Sequence, residues 1–213
     1  MSVPRRAGVL ALLIVTAGCS GKPPDAPPPA AVSPTRPPAA SSPSTSGTVV
    51  GTVHADGTAV VVLEPRGERS FAPQTEKPVM DQVGLTFGPE LLLVRTGQPV
   101  EFRNNDDTLH NVNVKHDETH EQAFNVAIPT GAAFEYTFKR DGFYRVACDI
   151  HPAMAASIYA ASTPYSAVAD GDGRFTFSDV PAGAWTITVY TGGRRLQKDV
   201  EVGGGTTADV TVE

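Results

Sequence analysis

Apolar and polar positions alternate in short runs along most of the chain, and no long stretch repeats them at helical spacing. Such runs cover residues 48–53, 58–64, 91–94, 99–103, 133–138, 142–148, 156–160, 174–177, 184–190, 198–202 and 208–212, with Gly, Asp and Asn turn signals between them. Period-two alternation gives each run one face to bury, so the pattern predicts an all-β chain. There are more strands here than one small sandwich uses, and two sandwiches side by side are expected.

The N-terminal residues carry a different signal. Arg5 and Arg6 precede an apolar run over 7–15 and then Thr16-Ala17-Gly18-Cys19, the charged, apolar, small-residue order of a bacterial export peptide over residues 1–18. The run is too short to span a bilayer. Small residues leading into a cysteine resemble the lipobox of bacterial lipoproteins, which implies a diacylglycerol on Cys19. Thr16 departs from the usual aliphatic residue, and an ordinary secretory peptide cut nearby is the other reading. Ser20 after the cysteine favours the outer membrane in a cell with two membranes. The segment 19–47 is dominated by Pro, Ala, Ser and Thr, a composition that cannot bury a core and predicts a stiff tether.

Removal of Arg5 and Arg6 with the export peptide moves the formal charge from -6 to -8. An acidic exported protein is no nucleic-acid binder and fits a basic patch on a partner, although ordinary solubility asks for a similar charge. With Cys19 consumed by lipid, Cys148 stands as a lone thiol in an oxidising compartment. Metal ligation is one reason for such a thiol; an inert buried cysteine is the other.

The run 142–148 alternates so that Tyr144, Val146 and Cys148 share one face, and it leads into Cys148-Asp-Ile-His151-Pro-Ala-Met154. One loop therefore offers a thiolate, an imidazole and a thioether at three-residue spacing. Upstream, a strand and a polar turn end in His110, placed to bring a fourth ligand from a neighbouring strand. Thiolate and imidazole bind both copper oxidation states, and a weak axial thioether imposes neither square-planar nor tetrahedral geometry. Zinc accepts Cys and His but seldom Met, and iron-sulfur clusters need more cysteines than this chain has. The candidate metal ligands are His110, Cys148, His151 and Met154, for one type 1 copper.

Phe102 to Asn104, Asp107, His110-Asn111-Val112, Phe124, Pro129, Gly142-x-Tyr144 and Cys148-x-x-His151-x-x-Met154 resemble the plastocyanin, pseudoazurin and amicyanin class of cupredoxins, with a ligand loop of amicyanin-like length. The resemblance implies a Greek-key β-sandwich over residues 67–163. It also implies that Asn111 bridges to the Cys148 loop, and that the His151 ring edge is the exit for the electron. Met80-Asp-Gln82 and the wider layout resemble bacterial methylamine-utilisation-like proteins. Glu90 after Phe87-Gly88-Pro89, where those proteins often have His, touches none of the four ligands and bears on partners instead.

Gly51-Thr-Val-His-Ala-Asp-Gly57 with the run 59–63 resembles the opening hairpin of carboxypeptidase-regulatory-like (transthyretin-like) domains. The matching continuation, Asp170-Gly-Asp-Gly-Arg-Phe175 and Val180-Pro-Ala-Gly-Ala-Trp185, comes about a hundred residues later. This predicts a small sandwich made from 48–66 and 164–213, with the copper domain inserted in it or packed beside it.

Other features point nowhere further. His116 and His120 with their acidic neighbours could form a second metal site, but their polar flanks predict a solvated loop. His54 is expected to be exposed and Trp185 to be core. Asp170 to Gly173 reads as a turn rather than a calcium loop, because Arg174 takes a ligand position. Gly203 to Gly205 reads as a hairpin connection.

No nucleophile elbow or zinc-protease helix motif is present, nor the His-x-His pairs of a multicopper enzyme, so the expectation is a non-enzyme. The leading reading is a blue-copper electron carrier on the periplasmic side of a bacterial envelope, held by lipid and exchanging electrons with a c-type cytochrome or a dehydrogenase. Copper storage or delivery, or a non-redox binding module, are the alternatives.

Overall fold

The computed structural model describes residues 46–55 and 57–213; the export peptide, Cys19 and the tether up to residue 45 lie outside the described residues. The described chain is all-β, in four sheets that stack as two sandwiches.

Strand β1 (Ser46–Val53) runs between β13 (Arg174–Pro181), antiparallel, and β16 (Thr207–Val212), parallel. Its alternation buries Val49 and Val53, and between them Gly51 lets the Phe175 ring and the Val210 carbonyl come close. A Cβ at Gly51 would lie 2.4 Å from each. The facing sheet has β12 (Ser166–Val168), β2 (Ala59–Pro65), β14 (Gly183–Thr191) and β15 (Arg194–Val202) in that order. Between the two sheets lies a core of Val49, Leu63, Phe175, Phe177, Trp185 and Ile187. Trp185 is fully buried, and its indole N–H donates to the Pro181 carbonyl at 2.9 Å.

Two sequence expectations are corrected here. β1 and β2 lie in facing sheets and do not form a hairpin. The reason is visible in their patterns: β1 alternates and has one face to bury, whereas Ala59-Val-Val-Val-Leu63 is apolar on both and needs a layer covered on both sides. Likewise Gly203 to Gly205 carries the chain from β15 across to β16 in the other sheet, where β16 takes the free edge of β1.

The second sandwich pairs β4 (Thr86–Gly88), β3 (Val79–Val83), β6 (Pro99–Asn104) and β9 (Ala133–Thr137) in one sheet. The other holds β5 (Leu91–Arg95), β11 (Ala155–Ala161), β10 (Gly142–Ala147), β7 (His110–His116) and β8 (Gln122–Ile128). Its core is aromatic and aliphatic, with Phe102, Phe138, Val112, Val146 and Ile158 fully enclosed.

The sandwiches meet through a third cluster. Val60 and Val62 of β2 pack with Tyr159 and Ala161 of β11, flanked by Leu91, Leu93, Phe143 and Tyr190. β2 thus serves two cores: Val61 and Leu63 point one way, Val60 and Val62 the other.

Candidate metal centre

β10 and β7 pair antiparallel from Tyr144↔His116 to Ala147↔Asn113, and that ladder brings the start of β7, His110, beside the loop that leaves β10 at Cys148. The loop closes on itself, the Cys148 N–H donating to the Met154 carbonyl at 3.2 Å and the Met154 N–H to the His151 carbonyl at 2.9 Å. Met154 is buried in the same core as Cys148.

Three donor atoms converge at this end of the sandwich. His110 Nδ1 lies 2.9 Å from His151 Nδ1, and Cys148 Sγ lies 3.9 Å and 3.8 Å from those two nitrogens. His110 and Cys148 are buried and His151 is half-buried. The centre of a triangle with these sides is about 2.1 Å from each corner, inside the range of metal bonds to imidazole nitrogen and thiolate sulfur. Among the described residues no other three metal-binding side chains come together.

The ligands are held from behind. The Asn111 side-chain oxygen accepts the backbone N–H of Asp149 at 2.7 Å, that of Ile150 at 3.3 Å, and the Cys148 thiol at 3.3 Å. Its amide nitrogen donates to Asn125 Oδ1 and to the Asp149 carboxylate. Asn113 and Asn125 donate to the same carboxylate, and with Asn111 they hold the Asp149 carboxyl below the ordinary range.

His110 Nε2 meets Asp106 Oδ2 at 3.0 Å. A carboxylate only accepts, so Nε2 carries the proton and Nδ1 is left free as the donor to a metal. Asp106 Oδ2 also accepts the Leu85 N–H at 2.8 Å, and the Leu85 N–H, the His110 imidazole and the Asp107 N–H hold this carboxyl down to about 2. Buried Asn104 pins the segment that bears Asp106: its Nδ2 donates to the carbonyls of Thr108 and Ile128, and its Oδ1 accepts the Asp106 N–H.

His116 corrects the expectation of a solvated loop. It closes β7, is buried, and stacks edge-on against Tyr144 at 4.9 Å, with Nδ1 accepting the Thr119 N–H. His120 is exposed on the following turn in a left-handed conformation. Asp106, Asp149, Asn113 and Asn125 were not singled out from sequence. The available signal was the i, i+4 spacing of Asp106 to His110 and the Asn at every second position of 111 and 113, which puts both amides on neighbouring sites of one strand end.

A thiolate and two imidazoles in a closed triangle, on a loop that also buries a methionine, fit copper better than zinc or iron. Fold and donor set together make this end of the β-sandwich a candidate copper centre. Residues 75–160 match the family model of copper binding proteins, plastocyanin/azurin family, which takes in the second sandwich and all four candidate ligands. Among solved structures, the chain is similar to a novel purple cupredoxin from Nitrosopumilus maritimus (22% identity over 40% of this chain and 100% of that one, TM-score 0.36). It is also similar to a reduced-state mutant of amicyanin (21%, 47% and 99%, TM-score 0.37) and to a Cu-containing nitrite reductase from Thermus scotoductus SA-01 (25%, 47% and 26%, TM-score 0.38). No curated protein matches the chain.

Proposed function

We propose that this protein is a type 1 copper electron carrier of the bacterial cell envelope, not an enzyme, with copper on His110, Cys148 and His151 and Met154 as the weak fourth ligand. The observation that carries the reading is the donor triangle, closed by the fold itself and locked by Asn111. Bound copper supplies a one-electron Cu(II)/Cu(I) couple. A triangle fixed by β7, β10 and the Asn111 bridge changes little between the two states, which lowers the reorganisation each transfer requires. The Cys148 thiol proton, donated to Asn111 Oδ1, leaves as metal binds.

His151 is the ligand that reaches the surface, and Ile150 beside it and Leu109 beside His110 are each 46% exposed. Large apolar side chains at the rim of a buried centre suit brief contact with another redox protein, a c-type cytochrome or a dehydrogenase. Ile150→Lys is expected to slow second-order electron exchange with cytochrome c while the spectrum of the centre stays the same; an unchanged rate counts against this contact surface. The preformed trio, two of its three ligands buried, disfavours the delivery reading, because a metal donor needs exchangeable ligands.

The first sandwich, built from 48–66 and 164–213, is the host of a copper domain inserted at 67–163, and Cys19 is a lipid anchor that leaves residues 20–47 as a tether. Mass spectrometry of membrane-extracted protein should find a diacylated Cys19 as the N-terminus. A free Cys19 with cleavage elsewhere contradicts it.

A further inference from the structure

We infer that Asp106, held by the Leu85 amide, is a positioning residue that fixes the His110 tautomer and biases the centre toward Cu(II). The inference rests on the copper reading and adds to it a control on the reduction potential. His110 is wholly enclosed and the Asp106 side chain only 12% exposed, so their contact at 3.0 Å is largely out of water. A full negative charge on the far nitrogen makes the near nitrogen a stronger donor and favours the more positive state of a metal bound there.

The support for Asp106 comes from the β3–β4 turn. Val83 pairs with Thr86, so Gly84 and Leu85 form a two-residue hairpin turn, and both have positive φ, 59° each. Glycine adopts that conformation freely; leucine is strained in it. The strained residue is the one whose N–H reaches Asp106 Oδ2 at 2.8 Å, with its side chain 51% exposed. Strain with no packing gain at Leu85 is accounted for by the amide it delivers. From the other side, Asn104 Oδ1 takes the Asp106 N–H at 3.0 Å. The carboxylate is thus held by the β3–β4 turn and the backbone that bears it by Asn104 at the end of β6, as for a group meant to aim a ring.

Asp106→Asn tests the charge, because an amide oxygen in the same place still accepts the Nε2–H. In the copper-loaded full chain, the blue band and hyperfine splitting should stay near wild type. The preference for Cu(II) over Cu(I) should fall about tenfold, which raises the potential by about 59 mV. A wild-type potential in a blue Asp106→Asn protein overturns the inference. A colourless wild type instead refutes the copper reading itself, so the two failures are distinct. Should the variant not fold, nitrogen NMR of the metal-free wild type decides: a His110 proton on Nε2 in slow exchange supports the inference, and a proton on Nδ1 overturns it.

Discussion

Asn111 and Asp149 are joined in both senses: Asn111 Oδ1 accepts the Asp149 N–H at 2.7 Å, and Asn111 Nδ2 donates to the Asp149 carboxylate at 3.0 Å. The acceptor-only carboxylate orients the amide, and the oriented amide leaves its oxygen for the ligand loop. Asn111→Leu keeps much of the volume and removes every one of these bonds. The metal-free protein should lose about 1–3 kcal/mol in urea unfolding, as the part-buried Asp149 and Ile150 N–H groups lose their acceptor. Copper affinity should fall about 10–100-fold. Unaltered metal retention would mean that the loop is set by other contacts.

Trp185 tests whether the first sandwich serves the copper centre. It is the largest side chain in a core that shares no residue with the cluster around Cys148. Trp185→Ala should cost about 3–5 kcal/mol of stability while leaving the visible spectrum of the folded, copper-loaded protein as it was. A shifted spectrum would show the two cores to be coupled through the Val60, Val62 and Tyr159 cluster.

Much of this was legible in the chain. Alternation marked β1, β6 and β10, and the Cys148-x-x-His151-x-x-Met154 spacing placed three candidate ligands on one loop before any fold was known. β3, β7 and β8 were not predicted as strands, because Asp81, Gln82, Asn111, Asn113 and Asn125 interrupt the apolar pattern. Those polar residues are strand positions whose side chains are spent on tertiary hydrogen bonds, Asn111, Asn113 and Asn125 around Asp149 of the ligand loop and Asp81 and Gln82 at the end of β6, a demand that only tertiary placement reveals. His116 was misjudged for the same reason: its acidic neighbours face water, while the ring turns in against Tyr144. In β2 the continuous apolar run held the needed information, since a strand apolar on both faces asks to be covered on both, but it named neither covering sheet.

Tyr159 makes the chain sensitive to alkali. It is buried between the sandwiches, and burial first, then the neighbouring Tyr190 phenol, pushes its own phenol well above the ordinary 10. Burial raises Tyr144 as well. A group whose folded pKa is raised contributes stability that is full below the unfolded value and is lost as pH rises beyond it. Stability should therefore decline above about pH 10, and Tyr159→Phe should flatten that decline. A Tyr159 that titrates near 10 by ultraviolet absorbance in the folded protein would contradict the placement.

The central claim concerns one sulfur and the metal it would bind. The most direct measurement is the visible absorption spectrum of the copper-loaded wild type beside Cys148→Ser. The wild type should show an intense sulfur-to-copper charge-transfer band with narrow hyperfine splitting, and Cys148→Ser should be colourless because its hydroxyl cannot give that transition. Met154→Gln should stay coloured at a lower potential, since a harder axial oxygen favours Cu(II). A colourless wild type that holds zinc equally well, or a Cys148→Ser protein as intensely coloured as the wild type, would contradict the account.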